Sequence, residues 1–556
     1  MPVIEISRRD LENLLGLELS DDEIERYLAM LKCELEDIVG DIISYEATHD
    51  RPDLFSVEGL ARALKGLLEI ELGPREFNIN TEEKVLLVAD GPNYRPYVLG
   101  AIAKNLELTN EAVRQLMNLQ EKLHITYCRD RRKVSIGVYD LDTIKPPIYY
   151  RRVSPEGIKF TPLDETSKMT PREILRKTEK GRIYAHLIEP YPVYPILVDS
   201  QNRVLSLPPI INSDETRVTE STKNVFIDVT GVNLELMMKV LTIMVTNVAE
   251  RGKPEEIIQV QVNYHDGFIV ASPDLHLEEY EISEEDVKKI GGLELSREDI
   301  VHYLMMMRHG AALKDDTIKV LVPSYRVDIL HKVDLVEDVL MAYGYENIAP
   351  EVLPPTHSGV LSPEEYISRK IRDIFIGLGF QEVANYMMSC PEILVKRMRL
   401  AQVKLVEVEN PKMERYTTLR QWLLPGLLNT ISLNKQLGFP LKVFEVGDVA
   451  IVDESKDVKV RIERHVACAF SSKDITLTDG LIVCKALFKT LNVNYQLQER
   501  THPSFIEGRC ADILVRSRTV GLVGEFHPEV LSNFEILVPT IGLEINLSAL
   551  IDELFK

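Results

Sequence analysis

The sequence predicts an α+β multidomain protein, on three observations. Its 556 residues exceed what one hydrophobic core organises, and at ordinary domain sizes imply roughly three or four domains. Strand-like alternating runs interleave with stretches of helical periodicity along the whole chain. An acidic, turn-rich stretch from Gly73 to Glu83, a change of character before Ser283 and the Pro-rich Ala349–Pro355 divide the chain into four. These are an N-terminal α/β unit (1–75), an α/β domain (84–266), a winged-helix-like module (270–348) and a large antiparallel-looking domain (360–556).

Val3–Ile6 alternates like a half-buried strand. Ser20-Asp21-Asp22-Glu23 is a capping box, in which a serine and a glutamate three residues on satisfy bare backbone N–H groups. Ile24, Tyr27, Leu28 and Leu31 form the apolar stripe of the helix it opens, and a second helix is expected from Ser56. Strands are then expected at Val85–Val88, Tyr97–Ala103, Val134–Val138, Ile196–Val198, Val204–Leu207 and Val225–Val229. Helices at Glu111–His124 and Leu234–Ala249 interrupt them, a pattern that predicts a cleft rather than a regular barrel. Ser283 and Ser296 are N-cap signals for two short helices, followed by a strand at Thr317–Val322 and a helix at Asp334–Tyr343. Beyond Ser362 the expected elements are helix Glu364–Ile376 and strands Leu405–Val408, Leu441–Val446, His465–Phe470, Val520–Val523 and Thr540–Ile545. Arg51-Pro52-Asp53-Leu54 and Arg326-Val327-Asp328-Ile329 share a shape, each leading into a helix.

Composition bounds the function. With 65 basic and 87 acidic residues the net charge is −22, whereas a protein gripping nucleic acid over most of its surface is basic. RNA contact is therefore expected to be local or to belong mainly to a partner. Arg129-Asp130-Arg131-Arg132-Lys133 is the densest basic patch, fit either to guide phosphate or to lie in a solvated loop. No run of about eighteen apolar residues occurs and no signal peptide opens the chain, so a cytoplasmic protein with no membrane contact is expected. The six cysteines include no CxxC pair, which argues against a zinc cluster or disulfide framework. P-loop, Rossmann, zincin and nucleophile-elbow signatures are absent. Trp422 and Met305-Met306-Met307 read as packing residues.

Four groups of motifs lie in order along nearly the whole chain. They are RPDLFSVEGLAR at 51–62; Gln120–His124 followed by IGVYDLD at 136–142 and LPPIINS at 207–213; PSYRVD at 323–328, running through Asp334–Asp338 to Tyr343-Gly344-Tyr345; and LLPGLL at 423–428 with GRCAD at 508–512. Together they resemble the β subunits of phenylalanyl-tRNA synthetases of the archaeal/eukaryotic branch. The resemblance implies an editing domain over 84–266, a magnesium-binding module over 270–348 and a class II synthetase-like domain over 360–556. There is no room for the two extra domains of bacterial β subunits. The last domain lacks a motif-two arginine and a GxGxxxR motif, and neutral Leu543 or Ile545 cannot clamp phosphate as arginine does. It thus resembles a silent copy of the catalytic fold, with ATP expected at the α-subunit site. The family assembles two α and two β chains, acts on tRNA(Phe), and hydrolyses mischarged Tyr-tRNA(Phe) in the editing domain. The alternative is a non-catalytic scaffold or RNA-binding protein that retains these domains.

Editing has a physical motive. An apolar pocket for phenylalanine rejects tyrosine's extra hydroxyl only about a hundredfold, so a second, hydrolytic site helps. On a strand, Asp228 and Thr230 point the same way. With Leu197, Ser206 and Asn212 they form the expected editing pocket; the same pair also suits a solvated strand face. His124, ending a helix, and Asp140 are weaker candidates. Asp334, Glu337 and Asp338 share one helix face, with Asp328 six residues ahead of Asp334. Carboxylates without His or Cys are hard-cation ligands, and the family's magnesium (Mg2+) site has this spacing. Acidic residues at a helix N-terminus are also favoured by capping and dipole alone.

Overall fold

Ser7 ends strand β1 (Val3–Ser7) by accepting a hydrogen bond from the Asp10 N–H, which caps α1 (Arg8–Leu15). The expected capping box forms at Ser20 and Glu23 and opens α2 (Asp21–Met30). Strands β2 (Glu34–Val39) and β3 (Ile42–Glu46) follow, and Ser56 caps α3 (Val57–Leu67). These strands pair in the order β1-β3-β2. The computed structural model describes residues 1–554 and, apart from residues 83 and 84, their side chains. It forms two units, Met1–Glu351 and the chain from Val352 on.

The second domain is built on one ten-stranded sheet. Its strands are β4 (Ile79–Asp90), β5 (Tyr97–Leu106), β6 (Val134–Asp140), β7 (Ile148–Val153), β8 (Tyr194–Val198), β9 (Val204–Leu207), β10 (Ile211–Asn212), β11 (Val225–Gly231), β12 (Gly252–Tyr264) and β13 (Ile269–Ser272). They run in the order β10-β9-β8-β7-β4-β12-β5-β11-β6, with β13 on β12. Strand β4 is parallel to β12 and β7, and the other pairs are antiparallel. Helix α4 (Asn110–Ile125) runs beside edge strand β6, and two short helices, α5 (Pro171–Lys177) and α6 (Glu179–Tyr184), lie in the long crossover from β7 to β8. Helix α7 (Leu234–Ala249), buried from Val240 to Ala249, packs on β5 and β11. The odd-numbered residues of β11 face it, since a side chain at Gly231 would strike Met237. Strand alternation then turns Phe226, Asp228 and Thr230 to the opposite face.

The third segment repeats the first. Strand β14 (Glu278–Ile282), helices α8 (Glu284–Gly291) and α9 (Arg297–Met306), strands β15 (Gly310–Lys314) and β16 (Thr317–Val322) and helix α10 (Lys332–Tyr343) follow the element order of the N-terminal unit. The sheet order β14-β16-β15 matches β1-β3-β2, and the two Arg-x-Asp loops occupy equivalent places before the last helix.

In the second unit a seven-stranded sheet runs, in space, through Gln381–Glu382, Leu441–Val452, Val460–Ser471, Thr540–Asn546, Arg518–Phe526, Phe505–Val515 and Gln496–Glu499. All pairs but the first are antiparallel, as the sequence pattern predicts. Helices Pro363–Gly377, Leu477–Thr490 and Leu547–Leu554 share one apolar core; Leu424–Leu433 belongs to another. Leu405–Val408 is not a strand. It alternates, but only Glu407 bridges, to Thr418, and without a ladder the alternation has nothing to pair with. Trp422 packs partly buried against one core, and Met306 and Met307 are buried in another. Among the described residues no helix is long and apolar enough to cross a membrane.

Candidate functional site

A cavity of about 220 Å³ opens on the even-numbered face of β11. Asp228 lies at its floor, only 2% exposed, directly between Gly100 of β5 and Gly137 of β6. Glycine at 137 is a packing requirement: a Cβ there would come 2.2 Å from Asp228 Oδ1 and 1.9 Å from the Tyr139 hydroxyl. Tyr139 Oη is 2.5 Å from Asp228 Oδ1 and 2.8 Å from Ser206 Oγ. The single phenolic proton serves one of these; an ionised carboxylate takes it, and the Ser206 hydroxyl then donates to the phenolic oxygen. Burial pushes the Asp228 carboxyl up to about 7, with Tyr139 and Arg95 offsetting part of that effect.

Of the five expected pocket residues, Ser206, Asn212 and Asp228 line the cavity. Thr230 points the same way as Asp228, but its hydroxyl is engaged one layer back, 2.9 Å from both Arg95 Nε and Ser135 Oγ. Leu197 is wholly buried and pairs with Ser206 across β8 and β9, so it supports the wall without lining it. The solvated-face alternative for Asp228 and Thr230 does not match this burial.

Sequence reasoning missed Tyr139 and Arg95. Arg95 is fully buried and donates to Thr230 Oγ1, the Thr230 carbonyl, Ser135 Oγ and the Arg131 carbonyl. Among the described residues no carboxylate bonds it; burial lowers its pKa, and Tyr150, Cys128 and Asp228 oppose that. Tyr139 was legible in principle: it stands two residues after Gly137 and so shares its face.

The basic patch is divided by its backbone. Arg129, Asp130 and Arg131 are successive left-handed residues, with φ of 50°, 56° and 62°. For non-glycine residues this costs roughly 1–2 kcal/mol each. The turn drives Arg131 inward, where it donates to the Pro209 and Ile210 carbonyls and to Glu121, and stacks 4.4 Å from the Tyr184 ring. Arg131 therefore builds the cavity wall, while Arg129, Arg132 and Lys133 remain exposed.

His124 and Asp140 have structural work. His124 Nε2 accepts the Ile136 N–H at 2.8 Å and Gln120 donates to the Ile136 carbonyl at 2.7 Å, which satisfies the Ile136 backbone on the free edge of β6. Burial pushes His124 down to about 4, so it is neutral at physiological pH. Asp140 caps a turn by accepting from the Asp142 N–H and Thr222 Oγ1.

The four carboxylates expected to hold magnesium do not converge. Asp328 is chelated by Arg326 through bonds of 3.0 and 2.8 Å, matching the fork that Arg51 makes on Asp53. Asp338 Oδ2 meets Arg326 at 2.7 Å and His309 at 2.6 Å. Burial opposes the Asp338 charge, but Arg326 and His309 overcome it and hold the carboxyl well below its ordinary range. Asp334 accepts the Leu330 and His331 N–H groups and caps α10, and Glu337 pairs with Lys32 at 3.2 Å. Among the described residues, no cluster of three or more His, Cys, Asp or Glu side chains is arranged to hold a metal. The residues present do not fit a magnesium cage within this chain, because each carboxylate already has its own cation or N–H donor.

In the last domain the polar positions are likewise engaged. Arg420 is buried against Glu445, and Glu544 accepts the Leu423 and Leu424 N–H groups and pairs with His465 at 2.7 Å.

Comparison with known proteins bears on the whole chain. Family models match residues 103–245 (B3/4 domain), 280–345 (tRNA synthetase B5 domain) and 350–547 (phenylalanyl tRNA synthetase beta chain CLM domain). The phenylalanine–tRNA ligase beta subunit of Thermofilum pendens is 45% identical over 549 residues, covering 98% of this chain and 97% of that protein. Its counterpart in Pyrococcus furiosus is 42% identical over 558 residues, covering 99% and 100%. A crystal structure of an N-terminal fragment of the Pyrococcus horikoshii phenylalanyl-tRNA synthetase β-subunit is similar with a TM-score of 0.59 at 42% identity, over 62% of this chain and 100% of the fragment. Identity of this order, sustained over nearly the full length of both sequences, means that the chain belongs to the phenylalanyl-tRNA synthetase β-subunit family.

Proposed function

We propose that this chain is the β subunit of a cytoplasmic phenylalanine–tRNA ligase and that its cavity hydrolyses Tyr-tRNA(Phe). It works with an α subunit, in a two-α two-β assembly, that binds ATP and charges tRNA(Phe). The observation that carries the editing reading is the buried Asp228 carboxylate at the floor of the cavity. It accepts a hydrogen bond from a tyrosine's phenol; phenylalanine offers no donor and leaves the buried acceptor unpaired, which costs binding. Held there, the ester carbonyl carbon is attacked by water, the bond to the ribose oxygen breaks, and free tyrosine and tRNA leave. No step here runs through a metal. The engaged Arg420 and Glu544 support a last domain without ATP chemistry of its own.

The test is tyrosine release from Tyr-tRNA(Phe) by the purified chain and by the reconstituted assembly, with Phe-tRNA(Phe) as control. Release of tyrosine in clear preference to phenylalanine is expected, with no ATP–pyrophosphate exchange by the chain alone. No release by either preparation would leave a non-catalytic scaffold.

A further inference from the structure

The cavity floor holds a phenol of its own. Tyr139 sits across from Phe226 in the β6–β11 register, its ring stacked on that side chain at 5.9 Å between centroids and 24° between planes. It is fully buried, and its hydroxyl is placed between Ser206 and Asp228 Oδ1. Gly137 leaves the space in which the two oxygens meet. Among the described residues no group bonds to the other oxygen, Asp228 Oδ2, yet it is not among the fully enclosed polar atoms without a partner. Asp228 itself lines the cavity, so Oδ2 is the oxygen open to it.

We propose that Tyr139 is a positioning residue that sets the cavity's specificity: its phenol occupies Asp228 Oδ1 and leaves one acceptor, Oδ2, turned to the hydroxyl of a tyrosyl ester. This rests on the editing reading above. A carboxylate free to rotate, or wet on both oxygens, takes an incoming side chain with little discrimination, because water satisfies whatever the substrate does not. A carboxylate held at one oxygen by Tyr139, itself held by Ser206 and stacked on Phe226, presents a single vacancy of fixed direction. A phenol fills it, and a benzyl side chain leaves it unpaired. The protein thus completes a hydrogen-bond chain, Ser206–Tyr139–Asp228–substrate, in which its own tyrosine and the substrate's make the same kind of bond to the two oxygens of one carboxylate.

The experiment compares parent, Tyr139→Phe and Ser206→Ala in the reconstituted assembly. Tyr139→Phe keeps the ring and its stack on Phe226 and removes only the hydroxyl. Steady-state deacylation of Tyr-tRNA(Phe) and Phe-tRNA(Phe) is measured across pH, together with equilibrium binding of hydrolysis-resistant 3′-amide adenosine conjugates of tyrosine and of phenylalanine. Tyr139 on β6 and Arg95 ahead of β5 favour the Asp228 charge against burial, and the other charged side chains lining the cavity are Arg131, Asp164, Glu165, Glu179 and Lys180. For Tyr139→Phe the preference for the tyrosyl over the phenylalanyl conjugate should fall at least tenfold. The loss in deacylation should lie mainly in KM, and the acid limb of the profile should move to higher pH, because a donor that favoured the ionised carboxylate is gone. Ser206→Ala should show the same changes in smaller measure. Parent-like binding preference, KM and pH limb in Tyr139→Phe would reduce Tyr139 to packing, as would an equal loss for both esters with the pH limb unmoved. The conjugates separate this proposal from the one it rests on. A parent that prefers the tyrosyl conjugate but releases no tyrosine defeats the editing reading, while the binding comparison still decides the role of Tyr139; a parent with no preference defeats both.

Discussion

Replacing Asp228 with asparagine should make the second domain more stable while removing its preference for the tyrosyl ester. The carboxyl is fully buried and moves from an ordinary 3.8 to about 7. That shift is about three units, and at 1.36 kcal/mol per unit amounts to about 4 kcal/mol. The sign follows from the direction. A raised folded-state pKa means that the folded protein binds the proton more tightly than the unfolded one. The stability this contributes is fully present below about pH 4 and is lost as pH rises from there through about 7. Above pH 7 the whole penalty of an ionised, desolvated carboxylate is in force. Asparagine is nearly isosteric, keeps an oxygen to accept from Tyr139, and never ionises. The gain over the parent should therefore be absent near pH 4, grow between about 4 and 7, and level off near pH 8. For a domain of this size about 4 kcal/mol corresponds to a rise of about 8–16 °C in Tm. Hydrogen exchange on peptides spanning β6 and β11, from pH 5 to 8, isolates this domain within the multidomain chain. Coincident protection in parent and variant at every pH would show that Asp228 is not a buried carboxylate with a raised pKa, and the argument for its role would lose its base.

The other predictions concern the layers around it. Gly137→Ala puts a methyl 1.9 Å from the Tyr139 hydroxyl and 2.2 Å from Asp228 Oδ1; deacylation of Tyr-tRNA(Phe) should drop about a hundredfold from the displacement, with phenylalanine charging by the assembly unchanged. Arg95→Met removes four hydrogen bonds and the cation that favours ionised Asp228, so the acid limb of deacylation should shift to higher pH and β6 amides should exchange faster. Asp338→Ala takes one carboxylate from buried Arg326, which keeps Asp328, and leaves buried His309 without its carboxylate partner, so it should destabilise the unit by about 1–3 kcal/mol, read from denaturant unfolding. Because the Asp338 carboxyl is depressed, its contribution is present above about pH 4 and lost as pH falls below that. Added magnesium should not raise the Tm of the parent chain; a rise of several degrees would show that the carboxylates leave their arginine for the metal.

Much of the fold was legible because it depends on interactions a few residues long. The capping pairs at Ser20 and Ser283 satisfy helix N–H groups from within the same turn, so the residue types suffice to place them. Leu234–Ala249 and Val204–Leu207 have the bounds their patterns predict, since Val204–Leu207 is a short apolar run buried throughout and Leu234–Ala249 is capped by Asn233 and mostly apolar over its buried stretch from Val240 on. The shared Arg-x-Asp shape announced a repeat of element order that only the two sheets, strand for strand, made plain. Leu405–Val408 shows the converse: alternation is a precondition for a strand, and a neighbouring ladder is the cause.

The sequence by itself determined that Asp228 and Thr230 take the same side of their strand, because side-chain direction alternates along a strand whatever surrounds it. It also determined that Asp334, Glu337 and Asp338 share a helix face. What each carboxylate does was decided by the tertiary structure. Arg95 lies 135 positions from Thr230 and Tyr139 lies 89 from Asp228, and no local pattern joins them. They meet because the sheet order places β5 and β6 on either side of β11. At the third segment the same helix-face pattern that suits a metal ends with Asp338 against Arg326 and His309, Asp334 on backbone N–H groups and Glu337 on Lys32. The two buried carboxylates meet donors that only folding brings to them, Asp338 the side chains of Arg326 and His309 and Asp228 the phenol of Tyr139 on the neighbouring strand.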